Sequence, residues 1–590
     1  MTDFTVAIPC YNGEHRLPKL LDRLGGQINL EKITWEVIVV DNNSTDNTAQ
    51  VIRNYQSNWL PNCPLKYYFA PEQGAAFARQ KAAEKAQGKL IGFLDDDNLP
   101  AFDWVAQAYQ FGIANYQIGA FGSQIHGDFF EQPDGKLPEE FFPIASLLAV
   151  IERGDQAYLY EPRHRILPPG AGLVVRRDVW LNHVPQRLKL NHKGKDAGLA
   201  SEDLEVVIHL QQAGWEIWYN PAMIVYHRIP NSRLQQDYLL KLVRCVGLSR
   251  HRLRMMTLRN WQKPIFFPAY LANDLRRLAL HQIKYGKQIK TDVAAACQQE
   301  LFVSTLASPF FLWNNRRSIE QQNPSIQDSQ WLEEIAIAFE QKHFHLHSQK
   351  IQPLQDSLLS ENHGEVLLRL KTQQGQLRLP REFMPIAERY HLMRTLDRWV
   401  IRQLCSQIAQ AGKQQPLSVY EINLSRATIE DSKVITFLKT VLRDYDIAPQ
   451  MLRFSMGESV AISNFDQVVT LSLELKNMGF SVTIDNSNYF INSLHSLSEL
   501  AVDYLKINSK LISNLASQSA VIEKLVIVNQ KIQQKGIKTI AGFVEDVSIL
   551  EKIKTLGIDY AQGYIFSQTT PLIFAGSIQD KFDKTSVARS

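Results

Sequence analysis

The first hundred residues alternate short apolar runs, rich in β-branched side chains, with stretches that have helical spacing. The apolar runs are FTVAIP, WEVIVVD, KYYFAP and KLIGFLDDD, and the helical stretches lie near residues 16–24, 48–55 and 75–86. Strands buried in a parallel sheet give short continuous apolar runs, whereas helices repeat apolar residues every three to four positions. The pattern therefore predicts an α/β fold with a doubly wound, mostly parallel sheet.

A second alternation begins near residue 350, with predicted strands LSVYEINLS, MLRFSM, GFSVTID, VDYLKIN, IKTIAGF and DYAQGYIFS. Several βα units in succession predict a second parallel domain, a TIM-like barrel. Residues 276–345 have a helical, glutamine-rich pattern without evident chemistry, and we interpret them as a connector. We therefore expect domains at 1–275 and 346–578, joined by the connector at 276–345 and followed by a tail at 579–590.

The amino-acid composition of the chain indicates which classes of protein it can belong to. The chain has 590 residues, of which 45% are apolar, and a net charge of +4, which is small for this length and argues against a nucleic-acid partner. The five cysteines are odd in number and form no CxxC pair, which is typical of a reducing compartment. Apolar runs fall short of the roughly 18 to 20 residues that cross a bilayer, and no signal-peptide pattern is evident, so we expect a cytoplasmic protein.

One stretch is markedly basic. Between Asp237 and Asp274 there is no acid, while seven lysines and arginines are interleaved with leucine, methionine, tryptophan and phenylalanine. Two interpretations remain open. The stretch forms either a peripheral contact with anionic lipid headgroups at the inner face of the plasma membrane, or a helix packed on its own domain with a solvated basic face.

Three consecutive aspartates, Asp95, Asp96 and Asp97, directly follow the apolar run KLIGFL. Acids at this position can simply cap a helix or face solvent. In parallel sheets, however, ligands gather at the carboxyl ends of the strands, where Pro9 and Asp41 also fall. A carboxylate cluster there suits Mg²⁺ or Mn²⁺, because the cation cancels the repulsion between the acids.

Five motifs, in order along about the first 260 residues, resemble the family 2 glycosyltransferases of the GT-A fold: VAIPCYNGEHRL, EVIVVDNNSTDNTAQVI, GAAFARQKAAEKAQGKLIGFLDDDN, PPGAGLVVRRDVW and LASEDLEVVIHLQQAGWEIWYNP. The residues of these motifs are similar to those of enzymes of cyanobacterial hormogonium polysaccharide synthesis. The resemblance implies transfer of a sugar from a nucleotide-sugar donor to a saccharide or lipid-linked saccharide acceptor in cell-surface polysaccharide assembly. The QxxRW motif of processive relatives is absent, which implies addition of one sugar per encounter.

The resemblance also implies roles for individual residues. Asp95 and Asp97 match the metal-binding DxD pair, with His227 as a further ligand, and Asp203 matches the general base beside Glu202. One base and direct displacement imply inversion at the anomeric carbon. The alternative is that the acids at 202 and 203 only occupy the first turn of a helix. The nucleotide-sugar contacts are expected from Pro9, Tyr11, Asn12, Asp41, Asn42, Asp95, Asp96 and Arg176.

The second half resembles the EAL domain, a barrel that hydrolyses cyclic di-GMP with two metals, over about residues 350–575. The motifs are GEVLLRL, REFMPIAERYHLMRTLDRWVI, EINLS, VDYLKIN and DYAQGYIFSQTTPL. The surviving site positions are Glu365, Arg369, Asn423, Asp485, Lys506, Glu545 and Gln562. Ser455, Asn486 and Gly542 stand where the family has acids.

Two-metal hydrolysis needs several anionic oxygens to hold both cations, and three such positions are neutral in this chain. We therefore expect a catalytically inactive domain that regulates the transferase or docks a protein partner. Two alternatives remain: the barrel is a cyclic di-GMP receptor that gates the transferase, or it is an active cyclic di-GMP phosphodiesterase.

Overall fold

The computed structural model describes residues 2–132, 136–161, 167–193, 196–315, 324–355, 362–412, 417–488, 493–514 and 519–574. The tail predicted at 579–590 lies outside these ranges. The chain divides into two compact units, Met1–Ala336 and Ile337–Ser590. Within the described part, no helix is both long enough and apolar enough to cross a membrane.

The strands of the first unit are β1 (Phe4–Cys10), β2 (Trp35–Asp41), β3 (Leu65–Phe69), β4 (Leu90–Phe93), β5 (Asn98–Pro100), β6 (Ile118–Asp128), β7 (Tyr158–Leu159), β8 (Val174–Arg176), β9 (Asn191–Lys193), β10 (Asp196–Leu199) and β11 (Glu216–Arg228). Its α-helices are α1 (Leu17–Gly25), α2 (Thr48–Ser57), α3 (Ala75–Lys85), α4 (Trp104–Ala114), α5 (Arg177–His183), α6 (Glu202–Gln212), α7 (Gln236–Met256), α8 (Lys263–Tyr285) and α9 (Val293–Asn314). Two 3₁₀ helices cover Glu139–Leu148 and Asn231–Arg233.

The main sheet of this unit has the order β3-β2-β1-β4-β8-β6-β11-β5, and β7 pairs with β11. Strands β3, β2, β1 and β4 are mutually parallel, whereas β8 runs antiparallel to both of its neighbours. All residues of β1 and β2 are buried, as expected for strands covered by helices on both faces. The predicted α/β fold is confirmed, and the ends of β1, β2 and β4 meet at one edge of the sheet.

Residues 276–336 of the predicted connector belong to the first compact unit, and the predicted domain bounds stay a prediction. Helix α9 lies against α7, and the hydroxyl of Ser308 on α9 donates to the carbonyl of Leu248 on α7. The carboxylate of Asp292 caps α9 by accepting from the amide of Ala294 at 2.8 Å. Small residues on α9 allow this close packing. The helical spacing in the sequence predicts a helix but does not show which element it packs against. Helix α10 (Ile326–Gln341) runs across the boundary between the units.

The strands of the second unit are β12 (Phe344–Pro353), β13 (His363–Lys371), β14 (Leu377–Arg378), β15 (Val419–Leu424), β16 (Leu452–Gly457), β17 (Ser481–Ser487), β18 (Tyr504–Ile507), β19 (Lys538–Ala541), β20 (Tyr560–Ala561) and β21 (Thr570–Pro571). Its helices are α11 (Pro380–Arg389), α12 (Met393–Ala411), α13 (Arg426–Ile429), α14 (Val434–Tyr445), α15 (Glu458–Ser463), α16 (Phe465–Asn477), α17 (Leu494–Glu499), α18 (Ser509–Asn514), α19 (Ser519–Gln534) and α20 (Val547–Thr555), with a 3₁₀ turn at Pro449–Met451.

Strands β13, β15, β16, β17, β18, β19 and β20 follow one another in parallel, and β12 closes the ring. Strand β12 is antiparallel to both β13 and β20. The predicted barrel is thus confirmed, with one antiparallel strand that the sequence pattern did not indicate. Side chains that point inward from the parallel strands converge on the interior of the barrel.

Candidate active site

Arg79 on α3 joins the acid at the end of β4 to the acid at the start of α6. Its Nη2 donates to Asp95 Oδ1 at 2.9 Å and its Nη1 donates to Glu202 Oε1 at 2.6 Å. Arg79 and Glu202 are both buried, so their ion pair is shielded from water, whereas the Asp95 side chain is 37% exposed. The structure therefore brings the two predicted acidic motifs to one site. Our sequence reasoning did not single out Arg79, although an arginine within the small apolar run AAFARQKAA is a visible signal.

Asp203 lies beside this bridge with its carboxylate held by two backbone amides. Oδ2 accepts from the amide of Gly170 at 2.6 Å, and Oδ1 accepts from the amide of Leu204 at 2.8 Å. Burial and, after it, the neighbouring charge of Glu202 raise the pKa of the Asp203 carboxyl above its usual value. Asp203 is half-buried, and an oriented carboxylate with a raised pKa is suited to accept a proton.

Gly170, in the predicted motif PPGAG, permits the close approach of the backbone to this carboxylate. A Cβ atom at position 170 would lie 2.8 Å from Nη2 of Arg79 and 3.1 Å from Cβ of Asp203. Such contacts are closer than van der Waals packing allows. The structure thus explains why glycine, and no larger residue, stands next to the candidate base.

The other two aspartates of the cluster also face arginines. Arg16 binds Asp96 through two parallel hydrogen bonds, from Nε to Oδ1 at 2.7 Å and from Nη2 to Oδ2 at 2.8 Å. Arg233 donates from Nη2 to Asp97 Oδ2 at 2.6 Å. With Arg79 on Asp95, each of the three carboxylates has its own guanidinium partner. These guanidinium groups offset the repulsion between the three carboxylates.

His227 and Asp97, two of the predicted metal ligands, lie close together but share a contact with Arg233. His227 Nδ1 donates to the carbonyl of Leu148 at 2.8 Å, which leaves Nε2 to accept from Arg233 Nη1 at 3.0 Å. Nε2 is 3.6 Å from Asp97 Oδ1. The third predicted ligand, Asp95, pairs with Arg79 instead.

Among the described residues, no group of three or more histidine, cysteine, aspartate or glutamate side chains is placed to hold a metal ion. The arrangement at Asp97 and His227 therefore does not fit the predicted Mg²⁺ or Mn²⁺ site. The physical reason is that the guanidinium of Arg233 hydrogen-bonds both candidate ligands.

The predicted residues at the end of β1 line the same edge of the sheet. Pro9 is buried and Tyr11 is half-buried, with the carbonyl of Tyr11 accepting from Arg16 Nη2 at 3.0 Å. Asn12 has a φ of 51° and accepts on Oδ1 from the amide of Thr45 at 2.8 Å. Asparagine tolerates this left-handed conformation better than most residues. These side chains fasten the β1 end to the loop that follows β2.

Asn42 is buried and holds the loop between β3 and α3. Its Nδ2 donates to the carbonyl of Glu72 at 2.7 Å, and its Oδ1 accepts from the amide of Gly74 at 2.6 Å. The predicted contact between Asn42 and a nucleotide base is not supported by this geometry, because the backbone already uses both ends of the amide.

Arg176, for which the motif suggested a phosphate contact, contacts backbone carbonyls in the structure. Its guanidinium donates to the carbonyls of Ile118 at 2.8 Å, Gly112 at 2.7 Å and Asn115 at 2.8 Å. These carbonyls lie at and after the end of α4, where an arginine both supplies missing hydrogen bonds and favours the helix dipole. These contacts support a structural role for Arg176, and its predicted contact with the nucleotide-sugar stays a prediction.

Asp41 is buried at the end of β2, where its carboxylate accepts from the Ser44 amide at 2.8 Å and the Tyr67 hydroxyl at 3.0 Å. Burial raises the pKa of Asp41 to about 6, above the value near 3.8 expected when the chain unfolds. Between these pH values the folded chain holds a proton that the unfolded chain has lost, so stability decreases as pH rises.

We therefore expect Asp41→Asn, which removes the charge, to gain thermal stability over the wild type as pH rises from 4 to 7. Melting temperatures of the two proteins at several pH values test this. Asp178→Asn, at an exposed acid, serves as the control, and an Asp41→Asn difference that is flat with pH contradicts the expectation.

In the barrel, Glu365 is the centre of a hydrogen-bonded group formed by four of the predicted residues. Oε2 accepts from Lys506 Nζ and from Gln562 Nε2, both at 2.8 Å, and Oε1 accepts from Asn423 Nδ2 at 2.8 Å. Burial raises the pKa of Glu365, but the charge of Lys506 and the hydrogen bonds from Lys506, Asn423 and Gln562 together outweigh burial and lower the pKa to about 2. The ammonium group of Lys506 thus neutralises an acid that the family resemblance places in the site.

Next to Lys506 lies a buried ion pair that the sequence reasoning missed. Glu421 Oε1 is 3.7 Å from Lys506 Nζ, and Glu421 Oε2 accepts from Arg453 Nη1 at 3.2 Å. Arg453 is fully buried, hydrogen-bonds His363 Nδ1 at 2.7 Å and lies 3.6 Å over the ring of Tyr504. The available signal was strand periodicity, because Glu421 stands two positions before Asn423 and so points the same way.

The remaining barrel positions are less well placed for metal chemistry. Burial raises the pKa of Asp485, whose carboxylate accepts from its neighbour's amide at 2.7 Å, while Glu545 is exposed. Arg369 is buried and donates from Nη1 to the carbonyl of Leu368 at 2.8 Å. Ser455, which replaces an acid of the family, has a buried hydroxyl that bonds no described residue.

Two family models match the chain: "Glycosyl transferase family 2" over residues 5–153 and "EAL domain" over residues 332–569. The second region is similar to the cyclic di-GMP phosphodiesterase PdeB of Shewanella oneidensis, with 31% identity over 242 residues, 41% of this chain and 28% of that protein. It is also similar to PdeF of Escherichia coli, with 29% identity over 236 residues, 40% of this chain and 31% of that protein. This chain thus spans less than a third of either relative.

Among solved structures, the FimX EAL domain from Pseudomonas aeruginosa, bound to c-di-GMP, is 26% identical and covers 42% of this chain and 99% of its own, with a TM-score of 0.38. The two family models confirm the glycosyltransferase family 2 region and the EAL region that the sequence motifs indicated. The named curated relatives are phosphodiesterases, so they do not support the expectation that the barrel is inactive.

Proposed function

We propose that this chain, a family 2 glycosyltransferase region followed by an EAL domain, is an inverting, non-processive glycosyltransferase of cell-surface polysaccharide assembly. The donor is a nucleotide-sugar and the acceptor is a saccharide or a lipid-linked saccharide. The observation that supports this most is the convergence of Asp95, Glu202 and Asp203 on Arg79. An acid with a raised pKa beside a polar rim at the carboxyl ends of parallel strands is an arrangement suited to group transfer.

In the proposed reaction, an acceptor hydroxyl gives its proton to the carboxylate of Asp203 while its oxygen attacks the anomeric carbon. The bond from that carbon to the nucleoside diphosphate breaks on the opposite face, and the configuration inverts. The amides of Gly170 and Leu204 hold the carboxylate in place. Arg233, at the rim next to Asp97, supplies positive charge towards the diphosphate leaving group. Mg²⁺ or Mn²⁺ stays a prediction from the resemblance, and no step here depends on it.

The identity of the nucleotide-sugar donor is the first point to establish by experiment. We expect one or a few nucleotide-sugars to raise the melting temperature of the full chain, because a ligand that binds only the folded state stabilises it. A panel with different bases and sugars, measured with MnCl₂ and again with EDTA, tests both the donor and the metal requirement. Free sugars at the same concentrations are the control. A panel in which no nucleotide-sugar shifts the melting temperature contradicts the proposal.

For the barrel, we propose a regulatory or docking role without hydrolysis. The support is the contact of Lys506 with Glu365 together with the neutral residues at 455, 486 and 542. We expect no linear dinucleotide when the full chain is incubated with cyclic di-GMP and Mn²⁺ or Mg²⁺, as measured by chromatography. Steady product formation that survives repurification contradicts this and assigns phosphodiesterase activity to the chain.

A second function, cyclic di-GMP binding, is favoured by the survival of Arg369 and Lys506 in the barrel. Both carry positive charge near Glu365, and a guanidinium can bind a phosphodiester bidentately. Calorimetry of the full chain with cyclic di-GMP tests binding, with Arg369→Gln as the variant and Arg443→Gln, at an exposed arginine, as the matched control. Heat that Arg369→Gln abolishes supports a receptor. Absence of heat leaves protein docking.

A further inference from the structure

Helix α8 (Lys263–Tyr285) buries two polar residues, while several of its apolar residues are exposed. Asp274 is buried and forms two hydrogen bonds with Arg254 of α7. His281 is also buried, with Nε2 3.0 Å from the carbonyl of Ala295 on α9. A helix on the surface of a globular protein normally has the opposite arrangement. The outward face of α8 is therefore built for a surrounding other than water.

The exposed apolar residues form a stripe along α8 that is interrupted by the exposed Arg276. Ile265, Leu275 and Ile283 are 61%, 53% and 82% exposed. Further exposed apolar positions on or next to this stripe are Ala269, Ala272, Ala279 and Leu280. Spacings of three, four and seven residues put these positions on one side of a helix. Trp261, just before the helix, is 64% exposed, and Phe266 in its first turn is also exposed.

The charged residues around this stripe are almost all basic. Residues 241–290 contain twelve lysines and arginines and a single acid, Asp274, which Arg254 neutralises. The exposed cations are Lys241, Arg244, Arg259, Arg276, Arg277, Lys284, Lys287 and Lys290. An apolar stripe flanked by long basic side chains is complementary to the boundary between the acyl chains and the headgroups of an anionic membrane.

We propose that the stripe of α8, with Trp261, is a lipid-binding surface that lies in the plane of an anionic membrane. Tryptophan favours the headgroup level, and lysine and arginine extend from an apolar surface to reach phosphate. A nucleic acid offers no apolar surface that would cover Ile265, Leu275 and Ile283. The sequence interpretation placed the contact at 241–270, but on α7 Arg252 and Arg254 are bound internally to Glu205 and Asp274. The inference goes beyond the proposed transfer reaction and is independent of it.

Flotation of the full chain with vesicles tests the surface. We expect it to float with phosphatidylcholine and phosphatidylglycerol in equal parts and to remain unbound with phosphatidylcholine alone. The triple variant Ile265→Ser/Leu275→Ser/Ile283→Ser should bind at least tenfold more weakly. Its side chains are exposed, so folding is not expected to change, and the melting temperature checks this. The matched control is a triple serine variant at other exposed apolar sites: Ile113, Ile462 and Leu473.

A second variant separates charge from apolar contact. Arg276→Gln/Lys284→Gln/Lys287→Gln should lower binding to the anionic vesicles at least tenfold, and 0.5 M NaCl should weaken wild-type binding in the same direction. The proposal is overturned if the wild type does not float with anionic vesicles or if the serine triple variant floats equally well. It is also overturned if the lipid-free chain sediments as a dimer that the serine variant dissociates, because the stripe is then an interface between two copies.

Discussion

Replacing Asp203 with asparagine is expected to lower the turnover number for sugar transfer by about 10²- to 10⁴-fold, the usual contribution of a general base. Asparagine keeps the size of the side chain and can still accept from the amide of Gly170, so the local fold should persist. It cannot take the proton of an acceptor hydroxyl. Donor binding, measured by thermal shift, should therefore remain while transfer is lost.

The pH profile of the wild type gives an independent readout of the same group. Transfer requires the ionised carboxylate, so the rate should fall as pH decreases through the pKa of Asp203. Burial and the charge of Glu202 raise that pKa, which places the acid limb at higher pH than for an ordinary aspartate. Asp178→Asn, an exposed acid in the first turn of α5, is the control. If Asp203→Asn transfers at the wild-type rate, Asp203 is not the base.

Replacing Arg453 with methionine is expected to lower the free energy of unfolding of the barrel by about 3 to 5 kcal/mol. The variant leaves Glu421 buried with only Lys506 at 3.7 Å and the Thr483 hydroxyl at 3.2 Å to compensate its charge. It also removes the guanidinium from the ring of Tyr504. Hydrogen exchange of β16 (Leu452–Gly457) within the full chain measures the change by mass spectrometry, because protected core amides report global opening.

A double-mutant cycle shows whether the cost arises from the buried pair. Arg453→Met combined with Glu421→Gln should lose less stability than the sum of the two single variants, because the double variant removes both charges. Arg443→Met, at an exposed arginine next to Asp444, should change stability by less than about 0.5 kcal/mol. Additive losses in the cycle would show that the two side chains act independently.

The proximity of the acidic motifs was predictable from the sequence, whereas their partners were not. Strand ends in a parallel sheet meet at one edge, so Asp95 and Asp41 had to lie near each other whatever the side chains do. Arg16, Arg79 and Arg233 each reach their aspartate from a distant part of the chain. An arginine side chain is long enough to reach several different acids, so the acid that it binds depends on tertiary packing.

Arg176 is a further arginine whose partners in the structure could not be predicted from the sequence. Its motif indicated a phosphate contact, whereas in the structure its guanidinium donates to three backbone carbonyls around the end of α4. In the barrel, motif spacing identified Glu365, Asn423, Lys506 and Gln562, and the structure brings them together. Glu421 and Arg453 were missed because they compensate each other, and the motif EINLS, which begins with Glu421, does not reveal this pairing. Pairings that arise from compensation between strands leave no local pattern in one sequence.

The central claim is that the first unit transfers a sugar by direct displacement. The most direct test is the anomeric configuration of the product formed from the donor that stabilises the chain, read from the anomeric proton coupling by nuclear magnetic resonance. One carboxylate base at Asp203 and a single displacement predict a product with the configuration opposite to that of the donor. A product that retains the donor configuration, or no transferred sugar with any donor of the panel, contradicts the account.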